Sequence, residues 1–427
     1  MKVHIITFGC KVNQCESEAI LELMISSGFE ESEEPYSADV VIFNSCAVTS
    51  ESSKKLRKSL KRIKSGNSSC ITVLMGCVAQ ACPEELSDFQ GFDIVIGNSN
   101  KHELLSYILE FMKSKNSLID IRPHNTFFAN LPIKRFSGHT RAFLKIEDGC
   151  NRFCSYCIIP YARGQVRSKP IEDIKTESEN LANNGYKEIN LVGINLSSYG
   201  LDLGLGLYDA IEAVSALGGI DRIRLGSLEP DLISEEFLEK TSQNGKFCPH
   251  FHLSLQSGSD KILKSMRRLY TAQEYLNIVD RINNIFSHAS ITTDLIVGFP
   301  GEDEEDFCDS LDVIKRAGFL KVHVFPYSRR PGTLAFNMPN QVPKEVKSLR
   351  VKAAQEEAGK QTSSFLNKCI GKEFEVLYES SKEDGFYDGY TSNYVPVRTK
   401  SEYDIIGKII NTRIIGNKQG HCVGVLI

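Results

Sequence analysis

The residues most able to do chemistry in this chain are three cysteines on one short stretch. Cys150, Cys154 and Cys157 follow the spacing C-x3-C-x2-C within "DGCNRFCSYC". A disulfide needs an even number of sulfurs, and a closed zinc site takes four ligands. Three thiolates can hold three irons of a four-iron cluster and leave the fourth iron open to a small molecule, whereas electron carriers use four cysteines. A zinc site completed by His139 is the alternative.

Three further cysteines each follow a predicted strand. Cys10, Cys46 and Cys77 come two residues after the apolar runs "VHIITF", "DVVIFN" and "ITVLM". Such runs are typical of buried parallel strands, whose carboxyl ends lie at one edge of the sheet. We therefore expect these three thiols to meet at that edge. Simple burial of small cysteines in a core is the alternative, and we expect it of Cys70.

The composition favours reduced thiols over a disulfide scaffold. The chain has 427 residues and 13 cysteines, an odd number in a long chain. Its formal net charge is −4, so any surface for nucleic acid must be local. The longest apolar runs fall short of the roughly 18 residues of a membrane span, and the amino terminus has the pattern of a strand rather than an export signal. We expect a cytoplasmic protein without membrane association.

Strand and helix patterns divide the chain into four parts. Residues 1–112 alternate short apolar strands with helices and predict a parallel α/β sandwich. Residues 113–138 are irregular and predict a linker. Residues 139–365 contain six strands that alternate with helices and predict a partial (β/α)6 barrel, whose lateral opening would admit a macromolecule. Residues 366–427 contain short strands broken by Gly and Asn and predict a small all-β barrel.

The cysteine motifs resemble those of a known family. The spacing C-x3-C-x2-C, with the aromatic Tyr156 before its last cysteine, resembles the signature of radical S-adenosylmethionine enzymes. The longer strings "DGCNRFCSYCIIPYARG", "TFGCKVNQCES", "FNSCAVT" and "MGCVAQ" resemble the methylthiotransferase branch of that superfamily. The tail resembles a TRAM domain, a small RNA-binding barrel. Within the branch, "GCKVNQ" is most similar to enzymes that modify threonylcarbamoyladenosine, whereas the isopentenyladenosine branch tends to have "GCQMN" and the ribosomal-protein branch "GCPKN".

The resemblance implies a cofactor set and a reaction. It implies two [4Fe–4S] clusters, an auxiliary one on Cys10, Cys46 and Cys77 and one on the second triad that binds S-adenosylmethionine. It implies insertion of a methylthio group at C2 of threonylcarbamoyladenosine at position 37, in the anticodon loop of tRNA. The partners would include an electron donor such as flavodoxin or ferredoxin and a sulfur donor. The alternatives are the same chemistry on isopentenyladenosine-37 or on a ribosomal-protein aspartate, and a non-catalytic iron–sulfur electron carrier.

The resemblance also suggests which residues contact S-adenosylmethionine. They come mostly at the carboxyl ends of the barrel strands, where barrel enzymes place their chemistry. Capping of strand ends and formation of turns is the alternative role. The suggested residues are Tyr156, Gly193, Asn195, Glu229, Ser254, Gln256 and Gly298.

One segment has the charge pattern of a phosphate-binding surface. Seven Lys or Arg fall between residues 51 and 65, just after Cys46. Within it we expect Lys54, Lys55, Arg57 and Lys58 to contact RNA, although such runs are often only solvated helix faces.

Aromatic residues of the tail are a second candidate for RNA contact. Phe386, Tyr387, Tyr390 and Tyr394 could stack on bases, or could equally pack in a core. Two further cysteines near the first triad, Cys15 and Cys82, are not expected to be ligands.

Overall fold

The N-terminal part of the chain forms one parallel sheet flanked by helices. In the computed structural model of the protein, residues 1–48, 50–81, 91–136 and 139–427 are described. The sheet order is β2-β1-β3-β4-β5-β6, and every pairing is parallel. The strands are β1 Lys2–Thr7, β2 Glu30–Glu31, β3 Val40–Ser45, β4 Ile71–Gly76, β5 Ile94–Ile96 and β6 Leu118–Asp120; the helices are α1 Lys11–Ser26, α2 Ser50–Gly66, α3 Cys77–Ala81 and α4 Leu104–Ser114.

The α/β architecture predicted for this part is confirmed. β3 and β4 are buried along their whole length, because helices cover both faces of the sheet. β6 was not expected, since it lies inside the range 113–138 that the sequence predicts to be a linker. It pairs with β5 along three residues, so the irregular connection begins only after Asp120.

The central part forms a six-stranded partial barrel. Its sheets have the orders β7-β10-β11 and β12-β13-β14-β15, and only Gly226 separates β11 from β12. β7 and β15 are the two edges, which leaves the predicted lateral opening between them. The barrel strands are β7 Arg141–Lys145, β10 Glu188–Val192, β11 Arg222–Leu225 with its continuation β12 Ser227–Leu228, β13 His250–Leu253, β14 Ser290–Val297 and β15 Lys321–Pro326. Two further strands, β8 Glu147–Asp148 and β9 Arg167–Ser168, form a separate two-stranded sheet.

Helices cover the outside of this barrel. Alternate strand residues such as Ile189 and Leu191 pack in the hydrophobic core beneath the helices, so Glu188 and Asn190 between them face the lumen. The helices are α5 Ile159–Arg163, α6 Ile171–Asn183, α7 Leu207–Ser215, α8 Glu235–Ser242, α9 Asp260–Ser265, α10 Ala272–Ile285, α11 Glu304–Ala317 and α12 Lys344–Asn367. Within the described residues no helix is both long enough and apolar enough to cross a bilayer.

The N-terminal domain lies against the open edge of the barrel. α1 packs on β7, where Cys15 Sγ is 3.6 Å from the carbonyl oxygen of Phe143. Val12 and Ala19 of the same helix join the hydrophobic core of the barrel. The sheet edge that carries the first three cysteines is therefore held beside the barrel.

The C-terminal part is a closed five-stranded barrel, as the sequence predicts. Its order is β16-β17-β18-β20-β19, with β16 Glu373–Ser381, β17 Phe386–Thr391, β18 Pro396–Lys400, β19 Ile409–Lys418 and β20 His421–Leu426. It docks on the amino ends of the central strands. Arg222 donates to the carbonyl oxygens of Glu375 at 2.8 Å and Tyr390 at 3.3 Å. Arg224 donates to the carbonyl oxygen of Ser392 at 2.9 Å.

Two of the four aromatic residues considered for base stacking are used in this docking. Tyr390 and Tyr394 stack on each other with ring centroids 4.6 Å apart, and Tyr394 also stacks on His250 of β13 at 4.6 Å. Tyr387 packs against the core of the small barrel, and Phe386 is exposed. The interface between the barrels therefore explains the stacked pair without RNA.

The short antiparallel pair of β8 and β9, the bracket, flanks the second cysteine motif. β8 pairs with β9, and the Cys150 amide donates to the carbonyl oxygen of Gly164 at 2.9 Å. Gly149 closes the bracket with φ +92°, and a Cβ added to it would overlap the carbonyl oxygen of Gln165. Only glycine fits here, because both the left-handed backbone and the close approach of the opposite strand exclude a side chain.

We expect Gly149→Ala to destabilise the protein more than Gly185→Ala. Gly185 also has a left-handed φ of +87°, but nothing lies within 4 Å of the position that a Cβ would take there. The control should therefore cost only the backbone strain, about 1–2 kcal/mol, while Gly149→Ala adds overpacking of about 1–3 kcal/mol. Thermal unfolding followed by circular dichroism measures the difference. Equal melting temperatures for the two variants would contradict this account of the bracket.

Candidate active site

Cys10, Cys46 and Cys77 meet at the carboxyl edge of the N-terminal sheet. Cys10 precedes α1, Cys46 follows β3 and Cys77 begins α3. Gly9, with φ +100°, lies so close to Cys46 that an added Cβ would be 2.5 Å from the cysteine Cβ. Burial, together with the neighbouring Cys77 and Cys10 thiols, raises the pKa of Cys46 to about 12. The structure thus brings together the three thiols that the sequence placed after three separate strands.

Polar side chains surround this first triad. The Asn13 Oδ1 atom lies 3.9 Å from Cys10 Sγ, and the Asn98 amide nitrogen lies 3.8 Å from Cys77 Sγ. The Arg163 Nε–H donates to Cys77 Sγ at 3.3 Å. Sequence reasoning assigned no role to these three polar residues. Asn13 and Arg163 lie inside quoted motifs, "GCKVNQ" and "PYARG", but their spacing gave no sign of contact with a thiol.

Arg163 connects the two domains through a buried ionic network. It lies in α5, directly after the second cysteine motif, and is fully buried. Its guanidinium donates to Glu16 at 2.5 and 3.0 Å and to Asn13 Oδ1 at 2.6 Å, both on α1. It also contacts Asp148, two residues before Cys150, at 3.3 Å. One side chain therefore contacts the first triad and the strand that leads into the second.

The carboxylate of Glu16 is the anionic centre of this network. It also accepts hydrogen bonds from Lys101 and, at 2.7 Å, from Lys145 of β7. Burial by itself would raise the pKa of Glu16, but Arg163, Lys101 and Lys145 hold it well below its ordinary value. The carboxylate is therefore ionised over the whole physiological pH range.

Cys150, Cys154 and Cys157 meet on the loop between β8 and β9. Burial, together with the Cys154 and Cys150 thiols beside it, raises the pKa of Cys157 to about 12. Arg268 donates to Cys154 Sγ at 3.4 Å, and the Asn195 amide nitrogen lies 3.8 Å from Cys150 Sγ. Asn195 is one of the residues singled out from the sequence. Arg268 was given no role there.

His139 is not placed to complete a zinc site at the second triad. Among the described residues, no three His, Cys, Asp or Glu side chains are placed to hold a single ion. His139, the candidate fourth zinc ligand, packs edge-on against Phe136 and Phe143 with ring centroids 6.0 and 5.9 Å apart. It precedes β7, whereas the second triad follows that strand at its other end. Two sets of three thiols fit ligands of larger clusters better than a zinc ion.

Glu147, Gly193 and Asn195 form a polar recess beside the second triad. The backbone N–H of Asn195 donates to Glu147 Oε2 at 2.7 Å, and a Cβ on Gly193 would be 2.5 Å from the same oxygen. Burial raises the pKa of Glu147 well above its ordinary value. Glu147 Oε1 and Asn195 Oδ1 are buried without a hydrogen-bond partner in the described part of the chain. Such orphaned atoms next to Cys150 fit a polar ligand such as the amino acid end of S-adenosylmethionine.

Three more of the predicted contact residues lie near Arg268. Glu229 forms an ion pair with Arg268, and the carbonyl oxygen of Ser254 accepts a hydrogen bond from Tyr270 at 2.6 Å and from Arg268 at 3.3 Å. Tyr156 packs against the hydrophobic cluster under the cysteine loop. These contacts place the three residues on the same side of the barrel as Cys154.

The contacts of Gln256 and Gly298 are those of strand ends. Gln256 has φ +67° and forms an isolated bridge with Leu295 of β14. Gly298 has φ +73°, its amide donates to Glu302 at 2.8 Å, and Lys347 of α12 leaves no room for a Cβ. No contact in the described residues connects either of them to a cysteine. A role for them toward a cofactor remains a prediction.

The other cysteines that the structure describes lie outside the two triads. Cys15 is buried at the interface with β7, and Cys70 is buried in a hydrophobic core, as expected. Cys82 lies outside the described residues.

Family models match the two cysteine domains separately. A model described as the Radical SAM superfamily matches residues 144–314, and one described as the Uncharacterized protein family UPF0004 matches residues 2–97. The first range contains the second triad, and the second contains Cys10, Cys46 and Cys77. Solved structures add only the fold. The radical S-adenosylmethionine methyltransferase TsrM from Kitasatospora setae aligns with a TM-score of 0.59 at 12% identity, covering 89% of this chain and 79% of that one.

Similar curated proteins align along almost the whole chain. The threonylcarbamoyladenosine tRNA methylthiotransferase MtaB of Bacillus subtilis is 36% identical, covering 96% of this chain and 92% of its own. MtaB of Thermotoga maritima is 37% identical, covering 92% of this chain and 90% of its own. The tRNA-2-methylthio-N(6)-dimethylallyladenosine synthase of Caldicellulosiruptor saccharolyticus is 38% identical, covering 96% and 89%. With both cysteine triads and the C-terminal barrel in place, this chain belongs to the radical S-adenosylmethionine methylthiotransferase family.

Proposed function

We propose that the protein inserts a methylthio group at C2 of N6-threonylcarbamoyladenosine at position 37 of tRNA. The observation that carries the proposal is the pair of three-thiol sites joined across the domain interface by Arg163. One site would hold the cluster that binds S-adenosylmethionine, and the other would hold an auxiliary [4Fe–4S] cluster. Relatives named for this substrate, and the stretch "GCKVNQ", support the choice of nucleoside.

Dimethylallyladenosine is the second candidate substrate. The synthase named for it is 38% identical to this chain, against 36% and 37% for two MtaB proteins, so overall identity does not separate the two. The discriminating experiment is nucleoside mass spectrometry of tRNA from cells that lack the protein. We expect loss of the 2-methylthio form of threonylcarbamoyladenosine and no change in that of dimethylallyladenosine. The reverse result would transfer the function to the second candidate.

The chain's own residues would prepare the sites for this chemistry. When bound, the clusters and S-adenosylmethionine supply the one-electron chemistry that breaks a C–H bond and the sulfur that is inserted. Because burial raises the pKa of Cys46 and Cys157 to about 12, these thiols must lose their protons as the clusters bind. Arg163 and Arg268 donate to one sulfur in each triad and so favour the thiolate. Glu147, Gly193 and Asn195 would orient the polar end of the cofactor.

The reaction also requires partners that supply electrons and sulfur. A flavodoxin or ferredoxin would fit the first requirement and a sulfur-transfer protein the second. A tRNA substrate and a set of reduced thiols are both consistent with a cytoplasmic location.

α2 offers a basic surface for the RNA. Lys54, Lys55, Arg57 and Lys58 are exposed on this helix, while Leu56 is buried beneath them. The helix begins shortly after Cys46, so its amino end lies near the first triad. Phosphate contact through this face is part of the proposed function, because the chain as a whole is net acidic.

We expect the two triads to be separable by substitution. The triple variant of Cys150, Cys154 and Cys157 to Ala should hold about four of the roughly eight irons of the wild-type protein and form no 5′-deoxyadenosine. Single Ala variants of Cys10, Cys46 or Cys77 should still form it but insert no sulfur. Iron content and both products are measured after anaerobic reconstitution. Cys70→Ala, a buried cysteine outside both triads, is the control and should keep all the irons.

The assignment of the second triad would be wrong if its triple variant still cleaved S-adenosylmethionine. Full sulfur insertion by all three variants of the first triad would reject that triad as the sulfur site. Loss of both products in those variants, with the second cluster intact, would mean that Arg163 couples the two sites.

We expect neutralisation of α2 to weaken tRNA binding and its salt dependence. Changing Lys54, Lys55, Arg57 and Lys58 to Gln removes four positive charges and should lower the slope of log K against log salt by up to about 3, or ~0.7 for each lost contact. Binding is measured by fluorescence anisotropy from low to physiological salt. The matched control removes four exposed lysines of α12 and its end, Lys344, Lys352, Lys360 and Lys368. An equal loss in both variants would show that α2 has no special role.

A further inference from the structure

The first residue of α1 extends into the lumen of the central barrel. Lys11 follows Cys10 directly, and its Nζ lies 5.3 Å from the centroid of the Phe143 ring. Phe143 is in register with Asn190 of β10, which faces the lumen, so Phe143 lies on the same face of the sheet. Lys11 as a residue is nevertheless exposed, so part of its side chain can be reached from solvent.

Lys11 faces histidines on the opposite side of the lumen. His252 of β13 and His323 of β15 have ring centroids 6.0 Å apart. Burial lowers the pKa of His323, and the charge of Lys11 is among the groups that lower it further. His252 is already held by Thr292 at 2.9 Å and by Asp294 at 3.3 Å. Lys11 therefore contributes a positive charge to a lumen with polar walls.

The other inward-facing cations near Lys11 all have anionic partners. Arg141 pairs with Glu379 at 2.6 Å, and Arg224 pairs with Glu188 at 2.7 Å. Within the part of the chain that the structure describes, Lys11 forms no ion pair or hydrogen bond. The positive charge of Lys11 is therefore available to an anion that enters the lumen.

A second polar side chain in the lumen also lacks a partner. Asn190 faces inward on β10, in register with Phe143 on one side and Arg224 on the other. It is fully buried, and within the described residues neither Oδ1 nor Nδ2 has a hydrogen-bond partner. An unpaired buried amide is costly, and a buried residue with both amide atoms unpaired points to a polar ligand.

We propose that Lys11 and Asn190 form the site that receives the N6 substituent of the nucleoside, with Lys11 binding its carboxylate. The inference rests on the proposed function, since it explains how this chain would select its substrate. The threonylcarbamoyl group carries a carboxylate, a hydroxyl and a urea, whereas the dimethylallyl group has no polar atom. A hydrocarbon beside Lys11 and Asn190 would leave both unpaired, which disfavours it.

The position of Lys11 next to Cys10 suits this role. Consecutive Cα atoms are about 3.8 Å apart, so the residue that binds the substituent is adjacent to a ligand of the sulfur site. In adenine, C2 and the carbon that bears N6 flank the same ring nitrogen, N1. A group that delivers sulfur to C2 and a group that holds the N6 substituent must therefore lie side by side.

The test compares acid and ester forms of one RNA. The probes are anticodon hairpins with threonylcarbamoyladenosine, its neutral methyl ester, dimethylallyladenosine or adenosine at position 37, and binding to the full-length protein is followed by anisotropy. We expect wild type to bind the acid roughly ten- to a hundredfold more tightly than the ester, the size of one charge-assisted contact. Lys11→Gln, the residue found at this place in "GCQMN", should lose that difference, and Lys11→Arg should keep most of it.

A matched variant separates selectivity from general RNA affinity. Lys54→Gln removes one charge from α2, near Cys46, and should weaken all four hairpins by the same factor without changing the ratio of acid to ester. Asn190→Ala should reduce binding of both the acid and the ester relative to adenosine. Iron content and melting temperature of each variant establish that the first triad and the fold are intact.

The outcomes distinguish this inference from the proposed function. If wild type methylthiolates the threonylcarbamoyl hairpin but binds acid and ester equally, or if Lys11→Gln keeps the preference for the acid, the carboxylate site is wrong and the function stands. If wild type modifies only the dimethylallyl hairpin, the proposed function and the carboxylate site are both rejected. If Lys11→Gln does not fold, the comparison of acid with ester on the wild-type protein still decides whether the carboxylate site exists.

Discussion

The buried ion network around Arg163 and Glu16 fixes the geometry on which the rest of the structure depends. A guanidinium and a carboxylate without solvent are tolerated only when their hydrogen bonds are complete, and removal of one partner costs about 3–5 kcal/mol. Arg163 belongs to the central domain and Glu16 to the N-terminal domain, so their contact sets the position of one domain on the other. Sliding of α1 along β7 would separate the Glu16 carboxylate from both Arg163 and Lys145, its two partners in the central domain. The network therefore specifies one arrangement of the two cysteine triads.

The two triads have a similar electrostatic design. In each, one sulfur accepts a hydrogen bond from an arginine and one lies within 4 Å of an asparagine side chain: Arg163 and Asn98 act on Cys77, Arg268 on Cys154 and Asn195 on Cys150. Donors to sulfur stabilise the thiolate and tune the potential of a cluster that it binds. Arg268 and Arg163 are in turn held by Glu229 and Glu16, so each donor is fixed by a carboxylate behind it.

The sequence predicted those features that depend on local pattern. Strand period and the cysteines after "VHIITF", "DVVIFN" and "ITVLM" were enough to predict one edge with three thiols, because parallel strands align their ends. Arg163, Arg268 and Glu147 could not be assigned, since their partners lie in distant segments that only the fold brings close. The strand Leu118–Asp120 is too short to show a strand period in the sequence, and it is recognised only by its pairing with β5. Tyr390 and Tyr394 were ambiguous, because stacking on a base and stacking on His250 require the same residue type.

The docking of the C-terminal barrel has a consequence for how ligands reach the central barrel. Tyr394 and the arginines beside it cover the amino end of the central barrel. Because this end is covered, ligands enter and leave the central barrel on the side where the N-terminal domain lies. Under the proposed function, the cofactor and the nucleoside would therefore share one route into the barrel. The small barrel thus limits the routes of ligand exchange without contacting either cysteine triad.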